Sequence, residues 1–364
     1  MKGALLFTGC ASEEAPAPQT PHSFGTFNAG LLHNTIPYDE ERAPAVGAAL
    51  AALDDVDVLC LQEVWGAEQT HNIIAQLESR FPYSFSVDTT VAAPTGPAAC
   101  TAAETDSLLD CVQAGCLDAP SLAYCVLQRC ATDFLGMSAP CQRCVVGNVA
   151  LDIADGVAAC QRGPGGLIHQ GHNGVVLLSR LPMVATNAID LDSTAANRVV
   201  LHAEIAEFSV FCTHLTASLV LPYQGEFGSW DGERLHQAEQ ILAYVDEVGA
   251  DGNIIIGDVN TGPAIGAEIE AEFPVTYERF VAAGFQSSFV RSPSPKCSFC
   301  ADNTLHMDVS GPDSTLIDHI FIRGIVDEPA EASRILDQPV AILVQGDSMQ
   351  TNLSDHYGVV ARLE

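Results

Sequence analysis

The residues best suited to chemistry in this sequence lie at 254–260, where three isoleucines and a glycine lead into Asp258 and Asn260. The apolar run is typical of a buried strand, and residues i and i+2 of an extended chain point to the same side. A carboxylate and a carboxamide that project together can orient a water molecule or hold a phosphoryl oxygen. A strand that ends in an Asx-type turn would give the same pattern without any chemistry.

Five further strand-like runs also carry polar residues capable of acid–base or metal chemistry at or near their ends. These residues are Asn28, Glu63, His214, Asp318, Asp355 and His356. One such ending arises by chance, but six in a chain rich in strand-like segments indicate a single site at one edge of a sheet. Because a sandwich gathers its loops at one edge, we expect these side chains to converge with Asp258 and Asn260 on one pocket.

The order of these motifs resembles the endonuclease/exonuclease/phosphatase (DNase I-like) superfamily of metal-dependent phosphoesterases. The series is Phe27-Asn28, Leu61-Gln62-Glu63, Thr213-His214-Leu215, Gly257-Asp258-Val259-Asn260, Ile317-Asp318-His319 and Ser354-Asp355-His356. The resemblance spans residues 24–364 apart from one insertion. Within it, the segments 59–65, 213–217 and 353–359 are most similar to those of neutral, bacterial-type sphingomyelinases.

The resemblance implies an α+β fold: a four-layer α/β sandwich of two mostly antiparallel sheets flanked by helices. The sequence agrees with this, because strand-like and helix-like stretches follow one another along most of the chain. Helices are predicted at 39–53, 67–80 and 233–248, and a central strand at 253–257. We expect residues 24–364 to form one catalytic domain with an insertion inside it.

The insertion is predicted at residues 92–166, where the succession of strands and helices stops. Prolines open this segment, a glycine-rich stretch closes it, and short Ala/Leu-rich pieces between them are typical of helices. It contains eight of the thirteen cysteines: Cys100, Cys111, Cys116, Cys125, Cys130, Cys141, Cys144 and Cys160. So short a segment rarely builds enough core alone, so we expect a helical unit held by disulfides. Stability, a lid, and substrate or membrane contact are all open as its role.

The other cysteines differ in their surroundings. Cys60 and Cys212 lie within apolar strand-like runs and are predicted to be buried free thiols, whereas Cys297 and Cys300 form a second close pair. An even, local cluster such as the eight in the insertion indicates disulfides and export. Zinc is the alternative, because two Cys-x-x-Cys spacings resemble ligand pairs, but the remaining spacings are irregular.

The start of the chain resembles the end of a lipoprotein signal. One lysine, a short apolar stretch and small residues precede Cys10, and residues 11–23 have the composition of a flexible tether. These features predict a secreted or extracytoplasmic protein with a lipid anchor on Cys10. The alternative is a disordered end with an incidental cysteine.

The charge of the chain bears on its partners. Fifteen basic and 46 acidic residues give the 364-residue chain a formal net charge of −31. Such a field repels polyanions, so tight binding of duplex nucleic acid is disfavoured. It suits a divalent cation and a zwitterionic substrate, although an acidic surface kept for solubility explains it equally. No apolar run reaches the ~18 residues of a membrane span; we expect a monomer and leave contact with a membrane surface open.

The resemblance implies a cation and its ligands. Glu63, helped by Asn28, would hold Mg²⁺, with Mn²⁺ or Ca²⁺ as alternatives, because oxygen donors suit hard cations. Asp355 would complete this set or lie behind it. Asp258 and Asn260 would hold the attacking water molecule.

The histidines complete the site that the resemblance implies. His356 would act as general base or phosphate partner, with Asp318 orienting its ring. His214 would bind a phosphoryl oxygen and stabilise its developing charge. Asn173 and Trp230 would contact the substrate, although an exposed turn and simple packing account for them equally well.

These residues and the resemblance together predict a secreted or surface-anchored Mg²⁺-dependent phosphodiesterase. Its substrate would be a phospholipid headgroup, as for a sphingomyelinase or phospholipase C, cleaved by attack of water on phosphorus. One alternative keeps the fold and cleaves nucleic acid or a soluble phosphate ester. The other is a non-catalytic surface-binding protein in which the insertion carries the function.

Overall fold

The computed structural model of the chain describes residues 23–87, 95–219, 221–248, 251–306, 314–325 and 329–363. The predicted signal remnant, Cys10 and all of the predicted tether except Ser23 lie outside these ranges. Within them, no helix is long and apolar enough to cross a membrane.

The first sheet has six strands. Their bounds are β1 Ser23–Asn28, β2 Val58–Gln62, β3 Tyr83–Phe85, β4 Val176–Ser179, β11 Pro329–Ile335 and β14 Gly358–Leu363. They lie in the order β11-β14-β1-β2-β4-β3. Only β1 and β2 run parallel; the other neighbouring strands are antiparallel.

The second sheet also has six strands. They are β5 Met183–Leu191, β6 Arg198–Ile205, β7 Phe208–His214, β8 Gly252–Asp258, β9 Gln286–Ser287 and β10 Asp318–Arg323, in the order β5-β6-β7-β8-β10-β9. Again one pair is parallel, β7 with β8. A separate hairpin consists of β12 Val340–Val344 and β13 Asp347–Thr351.

Four helices cover the outer faces of the two sheets. They are α1 Asp39–Ala51, α2 Ala67–Leu77, α8 Trp230–Val248 and α9 Pro274–Ala282. One apolar cluster fills the space between the sheets, a second joins α1 and α2 to the first sheet, and a third joins α8 and α9 to the second. Because both faces of the central strands are buried, β2 and β8 appear in the sequence as unbroken apolar runs. The predicted four-layer α+β sandwich is therefore confirmed.

Gly257 shows why the sequence at the end of β8 is constrained. A Cβ atom on this residue would lie 2.0 Å from the carbonyl oxygen of Thr213 in β7. Only glycine therefore permits this close approach of the parallel strands, which brings His214 level with Asp258.

The described part of the insertion consists of five short helices. These are α3 Ala102–Gly115, α4 Leu122–Arg129, α5 Ala131–Leu135, α6 Ala139–Gly147 and α7 Ile153–Cys160. Its eight cysteines pair among themselves, as predicted: Cys100–Cys141, Cys111–Cys130, Cys116–Cys125 and Cys144–Cys160. The disulfides surround a small apolar core, to which Leu221 outside the insertion also contributes.

Two further disulfides lie in the sandwich. Cys297 pairs with Cys300. Cys60 and Cys212 also form a disulfide, so the prediction of two buried free thiols was wrong. The reason is tertiary: β2 and β7 belong to different sheets, and their inward faces meet across the core with the two Cα atoms 5.5 Å apart. The bond covalently joins the two sheets.

Candidate active site

The polar residues that end the strands meet at one edge of the sandwich. Asn28 is the last residue of β1, Glu63 follows β2, and His214 and Asp258 end β7 and β8. Asp318 opens β10, which runs antiparallel to β8, so its first residue pairs with the last of β8. The pairing of β8 with β7 and with β10 thus places His214, Asp258 and Asp318 side by side.

Asp258 lies between the two predicted histidines. Its Oδ2 atom is 3.5 Å from His214 Nε2 and 3.8 Å from His356 Nε2, while His356 Nδ1 lies 2.8 Å from Asp318 Oδ2. All four residues are buried. Ligand atoms of Asp258, Asp318 and His356 lie within 4.8 Å of one another, so this group could itself hold a cation. We refer to these four residues as the Asp258 cluster.

Burial and mutual charge shift the acid–base behaviour of this cluster. Burial, followed by the charge of Asp318, raises the pKa of Asp258 to about 7. Burial also lowers the pKa of His214 well below its ordinary value, with Arg198 adding to the effect, so this ring is neutral at neutral pH. For His356 burial opposes protonation, but the carboxylates of Asp318, Asp258 and Asp355 outweigh it and raise the pKa well above its ordinary value.

A second acidic group adjoins the cluster. The carboxamide nitrogen of Asn28 donates to Asp258 Oδ2 at 2.9 Å and to Glu63 Oε1 at 3.2 Å, and its oxygen accepts from the backbone of Gly30. Burial, and next the charge of Asp355, raise the pKa of Glu63. A divalent cation bound here would lower this pKa, because its charge opposes the effects of burial and of Asp355. These oxygen donors therefore fit the metal that the resemblance implies. A metal ligand would present its oxygen, but Asn28 turns its nitrogen to the carboxylates. Its role as a metal ligand therefore stays a prediction.

Asn260 takes part in a local turn. Its backbone N–H donates to Asp258 Oδ1 at 2.9 Å, and its side chain donates to the carbonyl of Leu215 at 3.0 Å. The Asx-type turn considered as an alternative is therefore present. Asn260 and Glu63 both adopt left-handed backbone conformations, with φ of 49° and 55°. Such residues are uncommon outside glycine and tend to gather at functional sites, where surrounding structure holds them in place.

Asn173 and Trp230 are engaged in other contacts. Asn173 donates to the carbonyl of Val87 at 2.8 Å and accepts from the N–H of Val175 at 2.9 Å. Trp230 donates to the carbonyl of Leu221 at 3.1 Å, and its ring packs edge-on against Tyr223 and beside the core of the insertion. The substrate contacts predicted for both residues stay predictions.

Arg198 was not singled out from the sequence, but the structure places it at this site. It opens β6, is buried, and its Nε and one terminal nitrogen have no hydrogen-bond partner among the residues that the structure describes. Burial lowers its pKa to about 10, against the charges of Glu63 and Asp258, so it remains a cation. A buried cation with unused donors beside this cluster can bind an anionic oxygen. The available signal was a charge at the start of an apolar run, in a chain with few basic residues.

The chain belongs to the Endonuclease/Exonuclease/phosphatase family, whose sequence profile matches residues 25–356. No curated protein sequence matches it significantly. Hydrolysis of phosphoesters is the activity that this family membership indicates.

Solved structures share the fold at low sequence identity. Sphingomyelinase C from Streptomyces griseocarneus is 17% identical with a TM-score of 0.57, and the alignment covers 95% of this chain and 100% of that one. A beta toxin from Staphylococcus aureus with bound magnesium ions is 12% identical, with a TM-score of 0.56 and coverages of 95% and 100%. TDP2 from Caenorhabditis elegans is 13% identical, with a TM-score of 0.51 and coverages of 94% and 74%.

Proposed function

We propose that this chain is an exported, divalent-metal-dependent phosphodiesterase that hydrolyses a phospholipid headgroup, as a sphingomyelinase or phospholipase C does. One observation carries the proposal: two histidines and two carboxylates, from three strands and the segment before β14, share one buried edge, with His356 held 2.8 Å from Asp318. Phosphoester hydrolysis follows from the family; the metal, the diester and the lipid are what the proposal adds.

In the proposed reaction, the water oxygen bonds to phosphorus, the bond from phosphorus to the leaving alkoxide oxygen breaks, and that oxygen takes up a proton from solvent to leave as the alcohol. His356 accepts a proton from the water at Nε2, and Asp318 stabilises the resulting imidazolium through Nδ1. Because the nearby carboxylates raise the pKa of His356, the ring is free to accept this proton only above the raised value. Asp258 and Asn260, which are joined by the Asx-type turn, orient the water.

The phosphoryl oxygens are held from the other side of Asp258. His214 is neutral and its Nδ1 has no hydrogen-bond partner within the described part of the chain, so its ring can donate or accept without carrying charge. Arg198 supplies a fixed positive charge against the negative charge that develops on the oxygens. We assign phosphate binding to these two residues.

The proposed metal is Mg²⁺, with Mn²⁺ and Ca²⁺ as substitutes. Glu63 would hold it, with Asp355 and Asn28 beside it, and when bound it supplies positive charge to the phosphoryl group. The raised pKa of Glu63 supports this assignment, since the carboxylate lacks a compensating charge strong enough to keep its pKa at the ordinary value.

A lipid substrate is supported by charge and by fold similarity. The net charge of −31 disfavours a polyanionic nucleic acid and tolerates a zwitterionic headgroup. Two of the similar solved structures are a sphingomyelinase and a magnesium-bound beta toxin. A nuclease or soluble phosphatase of the same fold is the alternative that the experiment below must exclude.

The proposed organisation is a catalytic domain at 24–364 with the insertion at 92–166, exported and anchored through Cys10. Six disulfides within the described residues support an oxidising, extracytoplasmic location. Mass spectrometry of the protein from cell envelopes would show a lipid on Cys10 or an unmodified thiol.

The test of the proposed function compares two substrates under two metal conditions. Release of phosphocholine from sphingomyelin vesicles and nicking of plasmid DNA are measured with Mg²⁺ and with excess EDTA. We expect phosphocholine release that stops in EDTA and returns with Mg²⁺, and little nicking. Nicking without phosphocholine release would support the nuclease alternative, and full activity in EDTA would overturn the metal assignment.

A further inference from the structure

A cavity of about 270 Å³ lies between the insertion and the sandwich. All five helices of the insertion contribute to its wall, and Leu32, Ile168 and Leu219 close it from the catalytic domain. Leu151, which also lines it, is 37% exposed, so the cavity reaches the surface beside this residue.

The wall of the cavity is apolar. Among the described residues, no charged side chain lines it, and the three polar side chains that line it have partners elsewhere. The amide of Asn148 donates to the carbonyl of Cys144 at 2.9 Å, Ser218 Oγ accepts from Arg234 at 3.3 Å, and Thr35 donates to the carbonyl of His33 at 3.5 Å. A ligand would therefore meet mostly hydrocarbon and few groups that could compensate a polar atom.

The volume suits an alkyl chain. An apolar cavity of roughly 150 Å³ stays dry and binds benzene, with six carbons, so 270 Å³ has room for roughly ten carbons. Burying such a chain is favourable in proportion to the apolar area removed from water. Four disulfides link the helices of the insertion to one another around this space.

A row of packed apolar side chains, here called the apolar path, lies between the cavity and the Asp258 cluster. Leu32, Ile168 and Leu219 pack in one apolar group with Trp65. The ring of Trp65 lies 6.3 Å from that of His214, and the guanidinium of Arg198 lies 5.7 Å from the Trp65 ring. The residues to which we assign phosphate binding thus adjoin the inner end of this path.

We propose that the cavity binds one alkyl chain of the same phospholipid whose phosphate lies at the Asp258 cluster. The inference rests on the proposed function and gives the insertion a role in substrate selection. The bound alkyl chain thus belongs to the lipid being hydrolysed and not to a separate free fatty acid.

The test uses wild-type protein and a graded set of substrates. Monoacyl phosphocholine diesters of increasing chain length, each below its micelle concentration, are compared with a chainless aryl phosphodiester. We expect kcat/KM to rise at least tenfold as the chain approaches roughly ten carbons, then to level off, because the cavity is filled. A kcat/KM independent of chain length overturns the inference while hydrolysis of the lipids upholds the proposed function.

Variants locate the effect in the cavity. Ala123→Phe fills space on α4, and Leu127→Gln makes the same wall polar; Ala103→Phe, on the exposed face of α3, is the matched control. The first two should lower kcat/KM on the ten-carbon diester about tenfold or more and leave the chainless diester unchanged, while the control changes neither. Equal rates for all four proteins on both substrates would contradict the assignment.

A fatty-acid competitor separates the two sources of an alkyl chain. Decanoate should compete with the ten-carbon diester and leave hydrolysis of the chainless diester unaffected. If a fluorescent fatty acid binds the wild-type cavity but decanoate does not inhibit lipid hydrolysis, the cavity serves a separate ligand and the inference is wrong. If decanoate binds and no phospholipid is hydrolysed, the proposed function fails instead.

Discussion

The Asp258 cluster and the insertion differ in the polarity of what they enclose and in the interactions that hold their structure. The cluster buries charged and polar side chains, and sheet registers and hydrogen bonds fix their relative positions. The insertion surrounds an apolar cavity with short helices, and disulfides hold it. Proton transfer needs exact distances, which a paired sheet provides, whereas a hydrocarbon chain needs only a wall that stays open.

The comparison predicts that the stability of the sandwich depends strongly on one cross-link, the disulfide between Cys60 and Cys212. Replacing Cys60 and Cys212 together with alanine should lower the free energy of unfolding by about 5 kcal/mol, because the disulfide closes a 152-residue separation between two sheets. Denaturant unfolding followed by tryptophan fluorescence measures this. An unchanged midpoint would mean that β2 and β7 are held by packing alone.

A cross-link in the insertion should affect a different property. Replacing Cys100 and Cys141 with serine should cost about 4 kcal/mol of local stability, since the bond closes a separation of 41 residues. We expect loss of ten-carbon selectivity with the chainless diester still hydrolysed, as measured by kcat/KM on both. Equal loss on both substrates would show that the two regions are not independent.

His169, which stacks on Trp65 at 5.1 Å on the path between the two regions, should make the protein acid-sensitive. Burial lowers its pKa to about 4, below the unfolded value of 6.5. Between pH 6.5 and 4 the unfolded chain binds more protons, so stability falls as the pH falls through this window. In His169→Phe, the free energy of unfolding should therefore fall by about 3 kcal/mol less between pH 7 and pH 4 than in wild type. Unfolding midpoints of both proteins at the two pH values measure this. An unchanged difference between the two midpoints would contradict the assignment.

Asp318 should act by positioning His356. Asp318→Asn keeps the shape but removes the negative charge that raises the pKa of His356. We expect kcat/KM to fall roughly 10–10²-fold, and the pH at which His356 titrates in the rate profile to move down. Asp246→Asn, on an exposed aspartate that pairs with Arg323, is the control and should change neither. A lower rate with an unshifted pH profile would leave Asp318 only a structural role.

The cluster could be predicted from sequence because each of its members lies at or near one end of a strand. His214 and Asp258 end apolar runs, and parallel pairing of β7 with β8 brings such ends together. The Cys60–Cys212 bond could not be predicted, because it forms only where two sheets stack and nothing local marks its partners. Arg198 escaped notice for a similar reason: its unpaired donors are a property of burial.

The insertion was predictable in content and not in shape. Its cysteine count and proline and glycine borders indicated a stapled helical unit, and the pairing among the eight cysteines followed. The cavity depends on how five short helices meet the loop around Leu219, which no periodicity in the sequence encodes. The substrate contact predicted for Trp230 stays a prediction; its ring packs beside the insertion's core.

The most direct test of the central claim is the rate of phosphocholine release from sphingomyelin by wild type, His356→Ala and His71→Ala in Mg²⁺. His71 is an exposed histidine on α2 and serves as the matched control. We predict that His356→Ala loses roughly 10²–10⁴ in rate with an unchanged circular dichroism spectrum, and that His71→Ala matches wild type. Release by His356→Ala at the wild-type rate would contradict the account, because the Asp258 cluster would then not be the place where the phosphodiester is cleaved.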